Sequence, residues 1–341
     1  MIKVHLVGEC GDDYVLNSST YIRLVLPLQL LVDEKHIELS VDTEYENYKD
    51  SDIHITNRTW SSYYDINSAI AFIKMIRSGN KKFIYEIDDN LLDIPNIPQS
   101  RKAIIYYFIK NADVVITSTP LLKKRIDNLS KNVIVIPNYL DSRLIKKRCG
   151  VFKENEKITI GYMGTFTHQR DFQMIKLPLM RVLQKYKENV RLEVLGAIED
   201  ESTLKSFPNT KVLEFSEAMD YFTFWDWMNE NCYWDIGIAP LKYCEFTRCK
   251  SDVKYLDYSA LGIAGIYSKH PSYSDTIVDM ENGLLIENTC DVWEVALEKL
   301  IIDTELRNLI RKNAHEHLWK NRILQEHTDL WFQVIKSKGI N

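Results

Sequence analysis

The chain has 341 residues, 45% of them apolar and 27% charged, with a formal net charge of −5 at neutral pH. This length accommodates two domains of ordinary size, and the composition is typical of a soluble globular protein. The net negative charge excludes a generally basic nucleic-acid-binding protein, and no run approaches the roughly 20 apolar residues that a membrane span needs.

Strands and helices alternate through the first half of the chain. Strands are predicted at Ile2–Gly8, Ile37–Val41, Asp52–Thr56, Lys82–Ile87, Val114–Thr117 and Val133–Pro137. Helices are predicted at about Ser18–Val32, Asn67–Ser78, Lys102–Asn111 and Leu121–Asn128. This alternation indicates a mostly parallel sheet with helices on both faces.

The alternation stops at residues 139–157, which are polar and aperiodic like a linker, and then resumes. Strands are predicted at Ile158–Tyr162, Arg191–Leu195, Lys211–Phe215, Trp234–Pro240, Ile263–Tyr267 and Gly283–Ile286. Helices are predicted at about Phe172–Tyr186, Met219–Asn229, Tyr273–Asp279, Asp291–Ile302, Thr304–Trp319 and Ile323–Lys336. The fold class is therefore α/β, with Rossmann-like domains at residues 1–150 and 151–321 facing across a cleft.

The stretch from Cys249 to Ser268 combines a helix, a glycine and a strand. Apolar residues recur at helical spacing, the helix begins at Ser251 and Asp252, and Gly262 ends it. Such a helix N-terminus opens at the carboxyl edge of the sheet, where its N–H groups and Lys250 suit a phosphate. A solvated helix cap explains the same residues equally well.

A second candidate phosphate site follows the strand that opens the second half. Gly164 permits close approach of a ligand to the backbone, and the following N–H groups can meet an anion. The segment is neither G-x-G-x-x-G nor a P-loop, so an ordinary strand-to-helix turn is the alternative.

These motifs together resemble a known family. G-Y-M-G-T-F-T-H-Q-R-D-F, K-S-D-V-K-Y-L-D-Y-S-A-L-G-I-A-G-I-Y-S and N-G-L-L-I are similar to the carboxyl domain of GT-B glycosyltransferases, nearest to the retaining family-4 type of bacterial polysaccharide assembly. Y-E-I-D-D-N-L-L-D-I-P and V-I-P-N-Y-L-D in the first half resemble the same enzymes more diffusely. The resemblance also implies that the last helix, at residues 322–341, crosses back onto the first domain.

The family's E-x7-E motif carries over only in part. Its second acid, which holds the nucleotide ribose, matches Asp257, but its first acid falls on Cys249, which cannot do that acid's work. The departure moves the expected donor contact to Lys250 and Ser251. The resemblance further implies donor-phosphate binding by Gly164, Thr165, Arg170, Lys250 and Ser251.

The implied mechanism is metal-free transfer of a hexosyl group with retention, without a cofactor. Lys250 would stabilise the leaving diphosphate, and the acceptor hydroxyl would attack on the face from which the diphosphate leaves. Asp88 or Asp89 would orient that hydroxyl, although a helix cap or a D-x-D-like metal site are alternatives for these acids. Tyr21, Arg23 and His168 are the candidate acceptor-side residues, with polar surface as the alternative for His168.

The function predicted is glycosyl transfer from a nucleoside-diphosphate sugar to a glycan or lipid-linked saccharide. The alternatives are a sugar-nucleotide 2-epimerase of the same architecture, with Glu86, Asp88 and His168 as acid/base candidates, and a non-catalytic member of an assembly complex.

Localisation is predicted to be cytoplasmic, and a basic segment suggests the inner face of a membrane. The six cysteines form no C-x-x-C pair, which favours reduced thiols, and no signal peptide is expected because the first predicted strand begins at Ile2. Residues 101–148 carry eleven basic and three acidic side chains, a net charge of +8. That segment suits an anionic partner or lipid headgroups, or is simply a solvated helix surface.

Overall fold

The structure is a computed structural model that describes residues 1–11, 14–45, 50–61, 63–146, 156–165, 168–196, 204, 207–215 and 220–337. The chain divides into two compact units. Unit 1 comprises Met1–Asp141, Glu245–Ser251 and Ile323–Asn341, and unit 2 comprises Ser142–Cys244 and Asp252–Arg322. The segment Glu245–Ser251 thus belongs to unit 1, although its neighbours along the chain on both sides belong to unit 2.

Unit 1 is built on a parallel sheet whose six strands run in the order β2-β1-β3-β4-β5-β6. The strands are β1 (Ile2–Val7), β2 (Ile37–Asp42), β3 (Ile53–Asn57), β4 (Lys82–Ile87), β5 (Val114–Thr117) and β6 (Val133–Val135). The helices are α1 (Ser18–Thr20), α2 (Leu26–Asp33), α3 (Ile66–Ser78), α4 (Gln99–Asn111) and α5 (Pro120–Ile126). Every residue of β3 is buried, as expected for a strand covered by helices on both faces.

The first predicted helix is interrupted by a π-helical turn at Tyr21–Val25, between α1 and α2. Pro27 lies in the first turn of α2 and has no N–H to donate to the carbonyl of Arg23, four residues earlier. That carbonyl accepts instead from the indole Nε1 of Trp331 at 3.0 Å. The proline therefore creates the acceptor that the C-terminal helix uses.

Unit 2 contains the second six-stranded parallel sheet, in the order β12-β11-β10-β7-β8-β9. Its strands are β7 (Ile158–Gly164), β8 (Val190–Gly196), β9 (Thr210–Leu213), β10 (Ile236–Ala239), β11 (Ala264–Ser268) and β12 (Leu284–Ile286). Its helices are α6 (Gln169–Lys185), α7 (Tyr221–Asn231), α8 (Val253–Leu261), α9 (Pro271–Ser274), α10 (Cys290–Ile302) and α11 (Thr304–Asn321). The predicted start of α7 at Met219 lies outside the described residues.

Several helix boundaries predicted from the sequence are wrong, and two of the helices differ most from the prediction. The helix expected at Tyr273–Asp279 is the shorter and earlier α9, because the ring of His270 accepts from the N–H of Ser272 and starts the helix there. The last helix was expected at Ile323–Lys336, whereas a 3₁₀ turn at Leu324–Glu326 precedes α12 (Asp329–Lys336).

The C-terminal segment nonetheless packs in unit 1, as predicted. Ile323 bridges Leu140, and the ammonium of Lys82 contacts the carbonyls of Val334 and Ser337 at 2.5 and 2.7 Å. A cation at the end of α12 satisfies carbonyls that the helix leaves without partners. Burial of Lys82 lowers the pKa of its ammonium to about 8.

Gly161→Ala is expected to lower the free energy of unfolding of unit 2 by about 1 to 3 kcal/mol or more. Gly161 lies inside β7, where an added Cβ would come within 1.8 Å of the buried ring of Trp234. Thermal unfolding measures the loss. Gly79→Ala is the matched control, because the Cβ there meets only the flexible side chain of Lys81, at 3.1 Å. Equal melting temperatures for the two variants would contradict this packing argument.

Candidate functional site

Polar side chains gather at the carboxyl edge of the unit 1 sheet. Glu9 follows β1, Arg58 follows β3, Asp88 and Asp89 follow β4, and Asn138 follows β6. The carboxyl ends of parallel strands meet at one edge, which is where open α/β sheets bind ligands. We call this set of residues the unit 1 edge.

Arg58 is the centre of the unit 1 edge. Its Nε donates to Glu9 at 2.7 Å, its Nη1 donates to Asp88, and Asp89 lies 3.9 Å away. Although burial alone would lower it, these three carboxylates hold the pKa of Arg58 above its ordinary value. The Glu9 carboxylate also accepts from the N–H of Thr59 at 3.0 Å. The edge is therefore organised by charged hydrogen bonds among its own residues.

Lys250 and Ser251 lie at this same edge. The Lys250 ammonium is 3.2 Å from Asp89 Oδ2 and sits over the ring of Phe246. Ser251 is partly exposed, and its Oγ is 2.6 Å from Asn138 Nδ2. The two residues predicted to contact the donor thus share a neighbourhood with Asp88 and Asp89, which were predicted to act on the acceptor hydroxyl.

Side chains of unit 1 fasten the rest of this segment through its backbone. Asn90 donates to the carbonyl of Glu245 at 3.1 Å, and Thr119 donates to the carbonyl of Cys249 at 2.9 Å. Cys249 is buried, and its burial raises the pKa of its thiol to about 11. The thiol is therefore neutral at physiological pH and does not replace the missing acid of the E-x7-E motif.

Arg23 is completely buried and paired rather than surface-lining. Its Nε donates to Glu86 Oε1 at 2.7 Å and its Nη1 donates to Asn138 at 2.8 Å. Burial raises the pKa of Glu86 to about 7, although the guanidinium pulls it down. Tyr21, on the same π-helical turn, is partly exposed. Buried and paired in this way, Glu86 holds Arg23 in place and is unsuited to act as an acid or base on a substrate.

The unit 2 residues of the predicted donor site lie at the end of β7 and the start of α6. Thr165 and Arg170 are exposed, and Gly164 ends the strand. His168 Nδ1 is 2.8 Å from Asp171 Oδ2, and the other oxygen of Asp171 accepts from the N–H of Lys242. Phe166 and Thr167 of the same motif lie outside the described residues.

Asp257 lies on α8 with part of its surface exposed. Burial of the remainder raises the pKa of its carboxyl to about 7, and Lys254 opposes that rise. The Asp257 carboxyl, which is predicted to bind the ribose, is therefore only partly ionised at neutral pH.

The predicted start of this helix was wrong by two residues. Helix α8 begins at Val253, so Ser251 is not part of it. The Asp252 carboxylate does not cap the helix, because Arg322 holds it with two hydrogen bonds of 2.6 and 2.8 Å and Thr276 donates to it. The predicted end is confirmed: Gly262 has a φ of 70°, the left-handed conformation that glycine adopts readily.

Sequence reasoning missed Arg58, Glu9 and Asn138. Each follows a predicted strand of the first sheet, so applying the carboxyl-edge rule to every strand would have found them.

Among the residues that the structure describes, no group of three or more His, Cys, Asp or Glu is arranged to hold a metal. No helix within the described ranges is long and apolar enough to cross a membrane.

No protein-family model and no curated protein matches the chain. Solved structures match nearly all of it. Sucrose-phosphate synthase from Thermosynechococcus elongatus matches with a TM-score of 0.70 and 12% identity, over 98% of both chains. Anabaena HepE in complex with UDP matches with a TM-score of 0.67 and 13% identity, over 99% of this chain and 100% of HepE. A glycosyltransferase from Rickettsia africae ESF-5 matches with a TM-score of 0.64 and 14% identity, over 99% of both chains.

These neighbours identify the fold. Two six-stranded parallel sheets surrounded by helices are the architecture of GT-B glycosyltransferases, and the chain has that fold, as the sequence predicts. HepE has also been solved in complex with UDP-glucose.

Proposed function

We propose that the protein is a glycosyltransferase that moves a sugar from a nucleoside-diphosphate sugar to a hydroxyl group of an acceptor. One observation carries the proposal: HepE, which was solved with UDP and with UDP-glucose, matches the chain over 99% of its length. The polar carboxyl edge of the unit 1 sheet supports it, because ligands bind at such edges.

On the donor, Gly164, Thr165 and Arg170 of unit 2 contact phosphate and Asp257 contacts the ribose. Lys250 stabilises the leaving diphosphate, because the negative charge of that group needs a cation when no metal supplies one. We further propose transfer of a hexosyl group with retention, of the family-4 type, with no metal or cofactor, in bacterial polysaccharide biosynthesis.

On the acceptor, the unit 1 edge suits a hydroxyl of a glycan or lipid-linked saccharide. Asp88 and Asp89 are the carboxylates proposed to orient it, and their side chains are 16% and 19% exposed. Tyr21 and His168 remain proposed acceptor-side residues. Arg23 is buried and supports this surface through its hydrogen bonds to Glu86 and Asn138.

The decisive experiment is product analysis with a panel of nucleotide sugars and saccharide acceptors. The proposal predicts a glycosylated acceptor and free nucleoside diphosphate. An epimerised nucleotide sugar formed without an acceptor would instead establish the 2-epimerase. Binding without any turnover would establish a non-catalytic binding protein.

Nucleotide binding is expected to strengthen about tenfold as the pH rises from about 6 to about 8. A carboxylate accepts ribose hydroxyls only when ionised, and the pKa of Asp257 is about 7, so the ionised fraction rises through this range. Titration with UDP should show this dependence in the wild type and a flatter one in Asp257→Asn. The titration of UDP itself is common to both proteins, so identical profiles would exclude Asp257 from the ribose site.

The basic segment is proposed to contact anionic lipid headgroups at the cytoplasmic face of the membrane. Lys110, Lys124 and Lys131 are exposed, whereas Arg125 is held by Asp93; Lys147 and Arg148 lie outside the described residues. We expect co-sedimentation with anionic but not neutral vesicles, weakened by salt and by replacing Lys110, Lys124 and Lys131 with alanine. Sedimentation that ignores lipid charge and salt would show that the segment is a solvated surface.

A further inference from the structure

A chain of hydrogen bonds runs from Glu86 to Ser251 within unit 1. Glu86 Oε1 accepts from Arg23 Nε at 2.7 Å, and Arg23 Nη1 donates to Asn138 Oδ1 at 2.8 Å. Asn138 Nδ2 donates to Ser251 Oγ at 2.6 Å. The first three residues are at most 3% exposed, whereas Ser251 is partly exposed. This Glu86–Ser251 chain connects a buried ion pair with the hydroxyl of a partly exposed residue.

Chemistry dictates the direction of each hydrogen bond. A guanidinium has only donors, so the Asn138 atom that faces Arg23 must be the carbonyl oxygen. The NH₂ group of Asn138 therefore faces Ser251, whose oxygen has to accept. A hydroxyl that accepts in this way keeps its own proton for a different acceptor.

We propose that Arg23 and Asn138 are positioning residues that hold the Ser251 hydroxyl as a hydrogen-bond donor to a phosphate oxygen of the nucleoside diphosphate. This inference rests on the proposed function, which supplies the phosphate. Lys250 is adjacent in sequence, and a hydroxyl donor beside an ammonium suits an anionic oxygen. Glu86 balances the charge of Arg23 and so allows the guanidinium to be buried.

The test is a double-mutant cycle on UDP binding. Asn138→Asp keeps the size of the side chain and the hydrogen bond from Arg23. Its second oxygen can only accept, so the Ser251 proton turns toward it and away from the ligand. UDP affinity is expected to fall about tenfold in Asn138→Asp and about tenfold in Ser251→Ala. The double variant should also lose only about tenfold in total relative to the wild type, because both substitutions remove the same hydrogen bond.

Two controls separate positioning from general damage. Uridine, which carries no phosphate, should bind the wild type and the three variants alike. Asn231→Asp makes the same chemical change at the exposed end of α7 and should leave UDP affinity unchanged. If Asn138→Asp does not fold, Asn138→Ala takes its place in the cycle, since it frees the hydroxyl without adding a charge.

Losses that multiply to about a hundredfold would overturn the inference, because the new carboxylate would then act independently of Ser251. Equal losses for uridine would overturn it as well, by showing structural damage. If the wild type binds UDP and Ser251→Ala binds it equally, the positioning role fails while the proposed function stands. If the wild type binds neither UDP nor GDP, dTDP or CMP, the proposed function fails and the inference fails with it.

Discussion

Arg23→Met is expected to lower the free energy of unfolding by about 3 to 5 kcal/mol. The substitution removes the guanidinium from Glu86, which is 0% exposed. Glu86 Oε2 already has no hydrogen-bond partner among the described residues, so the variant removes the guanidinium that Oε1 accepts from and leaves a buried carboxylate short of hydrogen bonds. Chemical denaturation at pH 8 measures the loss.

The pH dependence identifies the cause of this loss. The pKa of Glu86 is about 7 in the folded protein against an ordinary 4.5, and removing Arg23 raises it further. A carboxyl whose pKa is higher in the folded state destabilises the fold as the pH rises from the unfolded pKa through the folded one. The variant should therefore lose less stability at pH 5 than at pH 8.

Two further variants complete the comparison. The double substitution Arg23→Met/Glu86→Gln removes both charges and should recover part of the stability. Arg181→Met breaks an exposed pair with Glu294 and should cost less than about 1 kcal/mol. A loss for Arg23→Met no larger than that of Arg181→Met would contradict the importance of the buried pair.

Lys250→Ala is expected to reduce kcat by about 10²- to 10³-fold, the effect of removing one group that stabilises a developing oxyanion. The structure adds a reason to expect a specific effect: Lys250 is held by Asp89 at 3.2 Å within the polar unit 1 edge. Its loss leaves no fully buried charge unpaired, because the Asp89 side chain is 19% exposed. Turnover should therefore fall while the melting temperature changes little.

The matched control is Lys312→Ala, which removes a lysine that is 60% exposed on α11. It should retain wild-type kcat. If Lys250→Ala also retains wild-type kcat in a wild type that turns over, another group stabilises the leaving diphosphate and the role assigned to Lys250 is wrong.

Local patterns predicted the two sheets because each strand is a short apolar run between turn residues. Strands β4 and β5 lie at the positions expected from the sequence. Helix ends were less predictable, since they depend on particular side chains. The ring of His270 starts α9, and Arg322 takes the Asp252 carboxylate that would otherwise cap α8.

The environment of Lys250 was not predictable from nearby sequence. The segment that carries it lies between β10 and α8, both in unit 2, yet its partners Asn90 and Thr119 are 155 and 130 residues from the carbonyls they hold. Arg23 was recognised as unusual in an apolar helix, but its partners are 63 and 115 residues away. Such long-range pairing carries no local signature.

The most direct test of the proposed function is a thermal-shift panel with UDP, GDP, dTDP, CMP and their sugars, with and without EDTA. A ligand that binds only the folded state stabilises it by about 2.7 kcal/mol at 100 times its Kd. We expect a nucleoside diphosphate and its sugar to raise the melting temperature, and each shift to be the same with and without EDTA. No shift with any of these ligands would contradict nucleotide-sugar binding, and a shift abolished by EDTA would contradict the metal-free mechanism.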